Sequence, residues 1–103
     1  MIVFVDIDET ICHTPGSPDK PRDYLEAVPK KENIEQINKL FDEGKHIVYW
    51  TSRGALTGID WRDVTEMQLR TWGAKFHELR LDKPYFDLFI DDKVENSYRY
   101  FCD

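Results

Sequence analysis

Two pairs of aspartates each follow a short apolar segment, one pair near each end of the chain. Asp6 and Asp8 lie in the stretch VFVDIDET (3–10), and Asp91 and Asp92 follow the mostly apolar segment Phe86–Ile90. A buried carboxylate without a partner is costly, and neighbouring carboxylates disfavour each other's charged forms. If the two segments are adjacent strands, the four carboxylates converge and predict a hard divalent cation, with Mg²⁺ the usual choice beside phosphate.

Carboxylates held in this way predict phosphoryl transfer. Asp6 can attack phosphorus as a nucleophile and form an aspartyl-phosphate. Asp8 can protonate the leaving-group oxygen and then deprotonate the water that resolves the intermediate. Thr51 or Ser52 can hydrogen-bond the phosphoryl oxygens, and Lys83 can neutralise charge that develops in the transition state.

The elements that must position these residues alternate between strands and helices. Apolar runs predict strands at Ile2–Ile7, His46–Trp50 and Phe86–Ile90, and alternation of apolar and polar residues predicts a third strand, at an edge, at Lys75–Leu81. Helical spacing predicts helices from Pro29 to Gly44 and from Asp60 to Trp72, with a short closing helix in VENSYRYF. Such alternation is typical of an α/β fold with a parallel sheet, in which ligands gather at the carboxyl ends of the strands.

Four short motifs along the chain resemble those of the haloacid dehalogenase superfamily of phosphatases. They are DIDET (6–10), a strand ending at Thr51, Lys83 and IDD (90–92), and they come in the family's order. The resemblance implies a Rossmann-like core with a parallel sheet of about four strands, in the order 3-2-1-4, and flanking helices. It implies one domain over residues 1–103, no inserted cap domain and a flap formed by the proline-rich loop 11–28. In this compactness and in residues 49–73 the chain is similar to the small capsule- and polysaccharide-biosynthesis phosphatases of bacteria.

The resemblance also implies a role for each matching position. Asp6 is the nucleophile, and Asp8 is the general acid and base, which also offers its backbone carbonyl to the metal. Thr51 contacts the phosphoryl group, and Lys83 pairs with the nucleophile and the phosphate. The implied Mg²⁺ ligands are Asp6, Asp8, Asp91 and Asp92, the last as a ligand or as support for its neighbour.

Residues beside these motifs are candidates for substrate contact. They are Glu9, Thr10, His13, Ser52 and Arg53. Arg53 can grip the phosphate or the substrate, or pair instead with Asp60 or Asp63. At the position of Glu9 the metabolite phosphatases often have glycine, whereas a glutamate there resembles the branch that acts on phosphoproteins. Glu9 either caps the flap or binds Arg53.

Composition limits the partners of the chain. Its 103 residues, 41% of them hydrophobic, suit one small domain. A net charge of −6 without a basic run disfavours nucleic acid, and no apolar run is long enough to span a membrane. The two cysteines lack metal-ligand spacing and no secretion signal precedes them, which favours a soluble protein of the reducing cytoplasm. A homo-oligomer is possible, with contacts from Tyr98, Tyr100 and Phe101.

The motifs and the composition leave three functions open. The first is a Mg²⁺-dependent phosphatase for a small phosphorylated metabolite, with a sugar phosphate favoured. The second is a phosphatase for a phosphoprotein or a polynucleotide end, which an open site without a cap would admit. The third is a regulator that binds metal or phosphate without catalysis, although such a protein needs no pair of nucleophile and acid like Asp6 and Asp8.

Overall fold

The structure is a computed structural model that describes residues 1–16 and 22–102. Its strands are β1 (Ile2–Val5), β2 (Cys12–His13), β3 (Val28–Pro29), β4 (His46–Trp50) and β5 (Glu78–Arg80). Its α-helices are α1 (Lys31–Asp42), α2 (Arg62–Thr71) and α3 (Ser97–Tyr100), and a 3₁₀ turn covers Tyr24–Glu26. The compact α/β architecture predicted from the sequence is therefore confirmed.

A parallel sheet of three strands, in the order β1-β4-β5, forms the centre of the molecule. Val3 lies opposite Ile47, and Tyr49 lies opposite Leu79. The helices α1 and α2 connect successive parallel strands, as βαβ crossovers do. The first three predicted strands thus have the predicted order, and β5 lies at an edge.

The helices occupy nearly the predicted ranges, and glycines follow their ends. Gly44 (φ 95°) and Gly73 (φ 74°) come just after α1 and α2 in the left-handed region. Glycine adopts this conformation without the steric cost that a Cβ would bring, which is why it commonly ends helices.

The hydrophobic core lies on one face of the sheet. Val5, Ile47, Tyr49 and Leu79 project from alternate positions of the three strands into this core. The helices and the C-terminal segment cover them with Ile34, Ile37, Leu69 and Phe101. Both helices pack on the same face because the two right-handed crossovers run in the same direction along the sheet.

The opposite face of the sheet keeps exposed apolar side chains. Ile2 is 68% exposed and Phe4 is 48% exposed, and the intervening Val3 packs toward the core. The rings of Phe4 and Trp50 meet edge to face with centroids 5.4 Å apart. Parallel sheets are normally covered on both faces, and on this face Val48 of the central strand is buried whereas the side chains of β1 stay exposed.

The predicted fourth strand, Phe86–Ile90, is wrong in this structure. The segment forms no strand, and its side chains are exposed, with Phe86 at 40% and Ile90 at 86%. Among the residues that the structure places, no backbone–backbone hydrogen bond involves residues 84–95. The sheet order therefore ends at β1, whose single neighbour in the described chain is β4. An apolar pattern favours a strand, but a strand forms only where a partner strand is within reach.

The flap and the C-terminal segment pack against this core. An antiparallel ladder pairs Cys12 with Pro29 and His13 with Val28, which closes the predicted flap loop 11–28; its residues 17–21 lie outside the described part. The predicted closing helix is confirmed as α3. Phe101 is only 8% exposed and belongs to the core, which corrects its prediction as an oligomer contact, whereas Tyr98 and Tyr100 remain about half exposed. No helix in the two described ranges is both long and apolar enough to cross a bilayer.

Candidate active site

Asp6 and Asp8 lie in a tight turn directly after β1. The amides of Thr10 and Ile11 both donate to the backbone carbonyl of Ile7, at 3.1 and 2.9 Å. Ile7 and Ile11 are completely buried. Because these two isoleucines anchor the turn in the core, the aspartates on either side of Ile7 are held in fixed positions.

The carboxylate of Asp6 is paired with a lysine and stays accessible to solvent. Lys83 Nζ lies 3.4 Å from Asp6 Oδ1, and the Thr10 hydroxyl donates to Asp6 Oδ2 at 3.4 Å. Burial raises the pKa of Asp6 above its ordinary value, although the Lys83 ammonium acts in the opposite direction. The Asp6 side chain nevertheless keeps 39% of its exposure, so a substrate atom can approach it.

A backbone hydrogen bond and two aromatic rings hold Lys83 at the carboxyl edge of the sheet. Its amide donates to the carbonyl of Thr51 at 3.3 Å. Its ammonium lies 5.5 Å from the ring centroid of Trp50 and 5.4 Å from that of Phe86. These cation–π contacts aim the ammonium at Asp6 rather than at bulk water.

The carboxylate of Asp8 is gripped by Arg53. Arg53 Nη2 donates to Asp8 Oδ1 at 2.8 Å, and Nε donates to Oδ2 at 3.1 Å, which makes a two-point contact. The hydroxyl of Thr14 also donates to Oδ1, and the Cys12 thiol lies 3.7 Å from the same oxygen. Asp8 Oδ1 thus has three donors, whereas Oδ2 has one.

Arg53 is buried, and its guanidinium is fully engaged. It is 2% exposed, and Nη1 donates to Thr65 Oγ1 at 3.0 Å and to Gln68 Oε1 at 2.7 Å. The ring of Tyr24 covers the guanidinium, 4.7 Å from its centroid. Arg53 therefore contacts neither Asp60 nor Asp63 in these hydrogen bonds, and its contacts support holding Asp8 rather than the predicted contact with substrate.

Thr51 and Ser52 lie at the carboxyl end of β4, as predicted. The amide of Thr51 donates to the carbonyl of Arg80, and its hydroxyl accepts from the amide of Arg53 at 3.1 Å. Because the hydroxyl accepts this bond, its own proton stays available for donation to a phosphoryl oxygen. Thr51 is 1% exposed and Ser52 is partly exposed, so Ser52 is the more accessible of the two.

Glu9 caps the flap, which is one of the two roles considered for it. One carboxylate oxygen accepts from the Thr14 amide at 2.9 Å and from Arg22 Nη1 at 3.2 Å, and the other lies 3.1 Å from His13 Nδ1. Desolvation acts to raise the pKa of Glu9, but the Thr14 amide, His13 and Arg22 together hold it below its ordinary value. The predicted substrate contacts Glu9 and His13 thus bind each other across the flap.

Asp91 and Asp92 do not join this site within one chain, which corrects the predicted convergence. Both are exposed, and Asp91 Oδ1 accepts from the amide of Lys93 at 2.8 Å. Over the described ranges, no group of three or more acidic, histidine or cysteine side chains is arranged to hold a metal. The reason is the missing fourth strand, which was expected to deliver Asp91 to the edge beside Asp6.

The residues of a single chain fit Mg²⁺ in part. The accessible carboxylate of Asp6 is a suitable ligand, and a cation would relieve the cost of burying its charge. Both carboxylate oxygens of Asp8 are occupied by protein donors, which leaves its backbone carbonyl as the atom to offer a metal. Mg²⁺ usually keeps several waters and is held by one or two carboxylates together with substrate phosphate, and a single chain supplies one such carboxylate, that of Asp6.

The buried partners of Arg53 were missed at the level of sequence. Thr65 and Gln68 lie three residues apart on α2, and both face the core. A polar pair at this spacing on the apolar side of an amphipathic helix is the signal that could have revealed a buried cation. Tyr24 and Thr14 gave no comparable signal.

Comparisons with known proteins find a shared fold. No family model and no curated protein match the chain. The crystal structure of a target protein from Vibrio cholerae is similar, with a TM-score of 0.82 and 22% sequence identity, over 97% of this chain and 86% of that one. At this identity the likeness shows the fold alone.

Proposed function

We propose that the protein is a Mg²⁺-dependent phosphatase of the haloacid dehalogenase type, which hydrolyses a small phosphorylated metabolite through an aspartyl-phosphate. A sugar phosphate is the favoured substrate, and the cytoplasm is the favoured compartment. The observation that carries the proposal is the contact of the accessible Asp6 carboxylate with Lys83 at 3.4 Å, beside Asp8, at the carboxyl end of β1. A nucleophile that receives a phosphoryl group needs a positive group beside it and an open approach.

The proposed reaction has two steps. In the first, an oxygen of Asp6 bonds to phosphorus, the bond from phosphorus to the leaving oxygen breaks, and that oxygen takes a proton from Asp8. In the second, Asp8 removes a proton from water, which attacks phosphorus, releases phosphate and frees Asp6. The contacts suggest Asp8 Oδ2 as the proton-carrying atom, because it accepts one hydrogen bond whereas Oδ1 receives three donors.

The surrounding cations and hydroxyls supply charge stabilisation. Lys83 can follow the phosphoryl oxygens as negative charge develops on them, and the Ser52 hydroxyl lies at the same edge of the sheet. Bound Mg²⁺ would neutralise phosphoryl charge and fix the orientation of the substrate. Asp6 and the backbone carbonyl of Asp8 are the groups of this chain segment that would hold it.

A phosphoprotein or a polynucleotide end is the second candidate substrate. The 39% exposure of Asp6 favours it, because an approach this open would also admit a bulky phosphate ester. The net charge of −6 weighs against the polynucleotide.

A panel of phosphate esters tests the proposal. Sugar phosphates, phosphopeptides and 3′-phosphorylated oligonucleotides are assayed with Mg²⁺ and with EDTA. We expect Mg²⁺-dependent release of phosphate, highest with sugar phosphates. Asp6→Asn should abolish this release and keep the circular dichroism spectrum, whereas Asp42→Asn, on the exposed end of α1, should change neither.

Two outcomes would contradict the proposal. Full activity of Asp6→Asn would exclude the aspartyl-phosphate. Absence of hydrolysis on every ester, with phosphate or metal still bound in calorimetry, would favour the non-catalytic regulator.

A further inference from the structure

Two parts of the molecule expose groups that usually contact another strand or an apolar surface. The first is the outer edge of β1, whose backbone has a neighbouring strand on its β4 side alone within the described residues. The second is the segment of residues 84–96, here called the arm. The arm contains several exposed apolar side chains, namely Tyr85, Phe86, Leu88, Phe89, Ile90 and Val94. Open edges and large exposed apolar surfaces mark sites of protein association.

The arm is attached to its own core at both ends. Before it, the Lys83 amide donates to Thr51, and Lys83 Nζ contacts Asp6. After it, the Ser97 hydroxyl lies 3.4 Å from the carbonyl of Glu9, and Phe101 is buried in the core. Its two ends are thus fixed beside the site, while the apolar side chains between them stay exposed, from 40% at Phe86 to 86% at Ile90.

The arm is too short to bring Asp91 to Asp6 as a parallel strand within its own chain. Lys83 lies at the carboxyl edge of the sheet, and Phe86 is three residues later, so the chain reaches at most about 10 Å between them. A parallel strand from Phe86 to Ile90 would have to start about 13 Å below that edge and one strand spacing outside β1. Parallel strands are usually joined by a dozen or more residues for this reason.

We propose that the protein is a dimer that exchanges arms, with residues 86–90 of each copy lying parallel to β1 of the other. This pairing gives the open edge of β1 a neighbour and places apolar arm residues beside the exposed Ile2 and Phe4. The arm segment has five residues and β1 has four, so the arm segment is long enough to pair along the whole of β1. A second copy is the fitting occupant because the arm and the open edge belong to the same chain, and each supplies what the other lacks.

The exchange would complete the catalytic site, and this part of the proposal rests on the proposed function. In parallel register, the partner subunit's Asp91 follows the last paired residue and comes to the carboxyl edge beside Asp6. The site then gains a second carboxylate beside Asp6, and one or two carboxylates are what a Mg²⁺ site with a phosphate substrate usually has. Each active site is built from Asp6, Asp8 and Lys83 of one copy and Asp91 of the partner subunit.

Mixing two inactive variants tests the shared site. Asp6→Asn and Asp91→Asn are each expected to lose Mg²⁺-dependent hydrolysis of p-nitrophenyl phosphate. When the two are unfolded and refolded together, half of the dimers are mixed, and one of the two sites in each mixed dimer has both aspartates. Activity should return to about a quarter of the wild-type value, as random pairing in a two-fold dimer predicts.

Light scattering after gel filtration tests the exchange without any reliance on activity. The wild type should elute as a dimer, and Leu88→Lys should weaken dimerisation about 100-fold, because one leucine leaves the interface in each copy. Leu56→Lys is the matched control, since Leu56 is 74% exposed and Leu88 is 75% exposed. Because both leucines are exposed in the single chain, neither variant should alter its circular dichroism.

The outcomes separate this proposal from the proposed function. A wild-type monomer at micromolar concentration, or a dimer that Leu88→Lys leaves intact, would overturn arm exchange. A dimer with active Asp91→Asn, or without restored activity in the mixture, would overturn the shared site. If the wild type hydrolyses no ester at all, the proposed function fails, and the light-scattering result alone decides the exchange.

Discussion

The contact between Arg53 and Asp8 shows how one buried side chain can set the position of a neighbouring carboxylate. The guanidinium has protein partners at Nε, Nη1 and Nη2 and an aromatic ring over its face. Arginine suits this position because its planar fork binds both oxygens of a carboxylate at once. Lysine has the same charge but one nitrogen, and cannot reproduce the two-point contact.

Arg53→Lys should therefore lower the free energy of unfolding by about 2–3 kcal/mol, because buried polar partners are left unsatisfied. Arg70→Lys is the control, because Arg70 makes an exposed ion pair with Glu66 and should lose less than about 0.5 kcal/mol. Urea unfolding followed by circular dichroism measures both. Equal losses in the two variants would contradict a special role for Arg53.

If Arg53 only stabilised the fold, Arg53→Lys would lower kcat/KM equally for substrates with different leaving groups. If Arg53 positions Asp8 as the acid, the fold-loss of kcat/KM in Arg53→Lys should be about ten times larger on an alkyl phosphate than on p-nitrophenyl phosphate. The reason is that the p-nitrophenolate leaving group needs little protonation. The same loss on both substrates would mean that Arg53 serves stability and not proton transfer.

The two cysteines should differ sharply in reactivity. Cys12 is completely buried, and burial raises the pKa of its thiol to about 11, so the reactive thiolate is scarce at neutral pH. Cys102 is exposed. In the native protein at pH 8, a chromogenic disulfide should label one thiol quickly, and Cys102→Ser should remove that fast phase. Fast labelling of two thiols before denaturant is added would show that the turn around Cys12 opens readily.

At the scale of elements, the turn after β1 depends on an unusual backbone conformation at Glu9. Its φ of 63° lies in the left-handed region, which costs a residue with a side chain about 1 kcal/mol. The contacts of its carboxylate with the Thr14 amide, His13 and Arg22 offset that cost. Glu9 thereby links the turn that holds Asp6 and Asp8 to the flap.

The lowered pKa of Glu9 predicts a dependence of stability on pH. A carboxyl with a folded-state pKa below its unfolded value of 4.5 stabilises the fold above that value and loses this effect as the pH falls through the folded-state pKa. Glu9→Gln should thus be less stable than the wild type at pH 7, with the difference disappearing in acid. Urea unfolding at several pH values measures it. The control variant Glu35→Gln, on the exposed side of α1, should have nearly the stability of the wild type at every pH measured. A difference in stability between Glu9→Gln and the wild type that stays constant with pH would contradict the ionic explanation.

The elements also show which parts of the fold a sequence can predict. The helices α1 and α2 and the strands β1 and β4 were predictable because apolar spacing and the flanking Gly44 and Gly73 are local signals. Phe86–Ile90 is also apolar at four of its five positions, but a strand needs a partner, and the three residues after Lys83 do not reach one. Asp6, Asp8 and Lys83 were brought together as expected, whereas the burial of Arg53 depends on Thr65 and Gln68, whose approach is set by tertiary packing.

At the scale of the whole molecule, the small size of the chain explains the open side of the sheet. One face is covered by α1, α2 and Phe101, whereas Ile2 and Phe4 on the other face of β1 stay exposed. Small domains bury a smaller fraction of their surface, so association with a second copy is a common route to stability. Exchange of arms would add strand pairing and apolar contact without adding residues.

Thermal unfolding should reveal whether folding depends on this association. If the native state is an exchanged dimer, each unfolding event releases two chains, and raising the protein concentration from about 1 to about 100 μM stabilises the dimer by about 2.7 kcal/mol. For two chains of 103 residues, that corresponds to a rise in Tm of about 6 °C. Leu88→Lys should lower Tm at high concentration and remove most of the concentration dependence, whereas Leu56→Lys should follow the wild type. A wild-type Tm that is independent of concentration in differential scanning calorimetry would mean that the single chain holds its fold without a partner, and that the exposed arm contributes nothing to it.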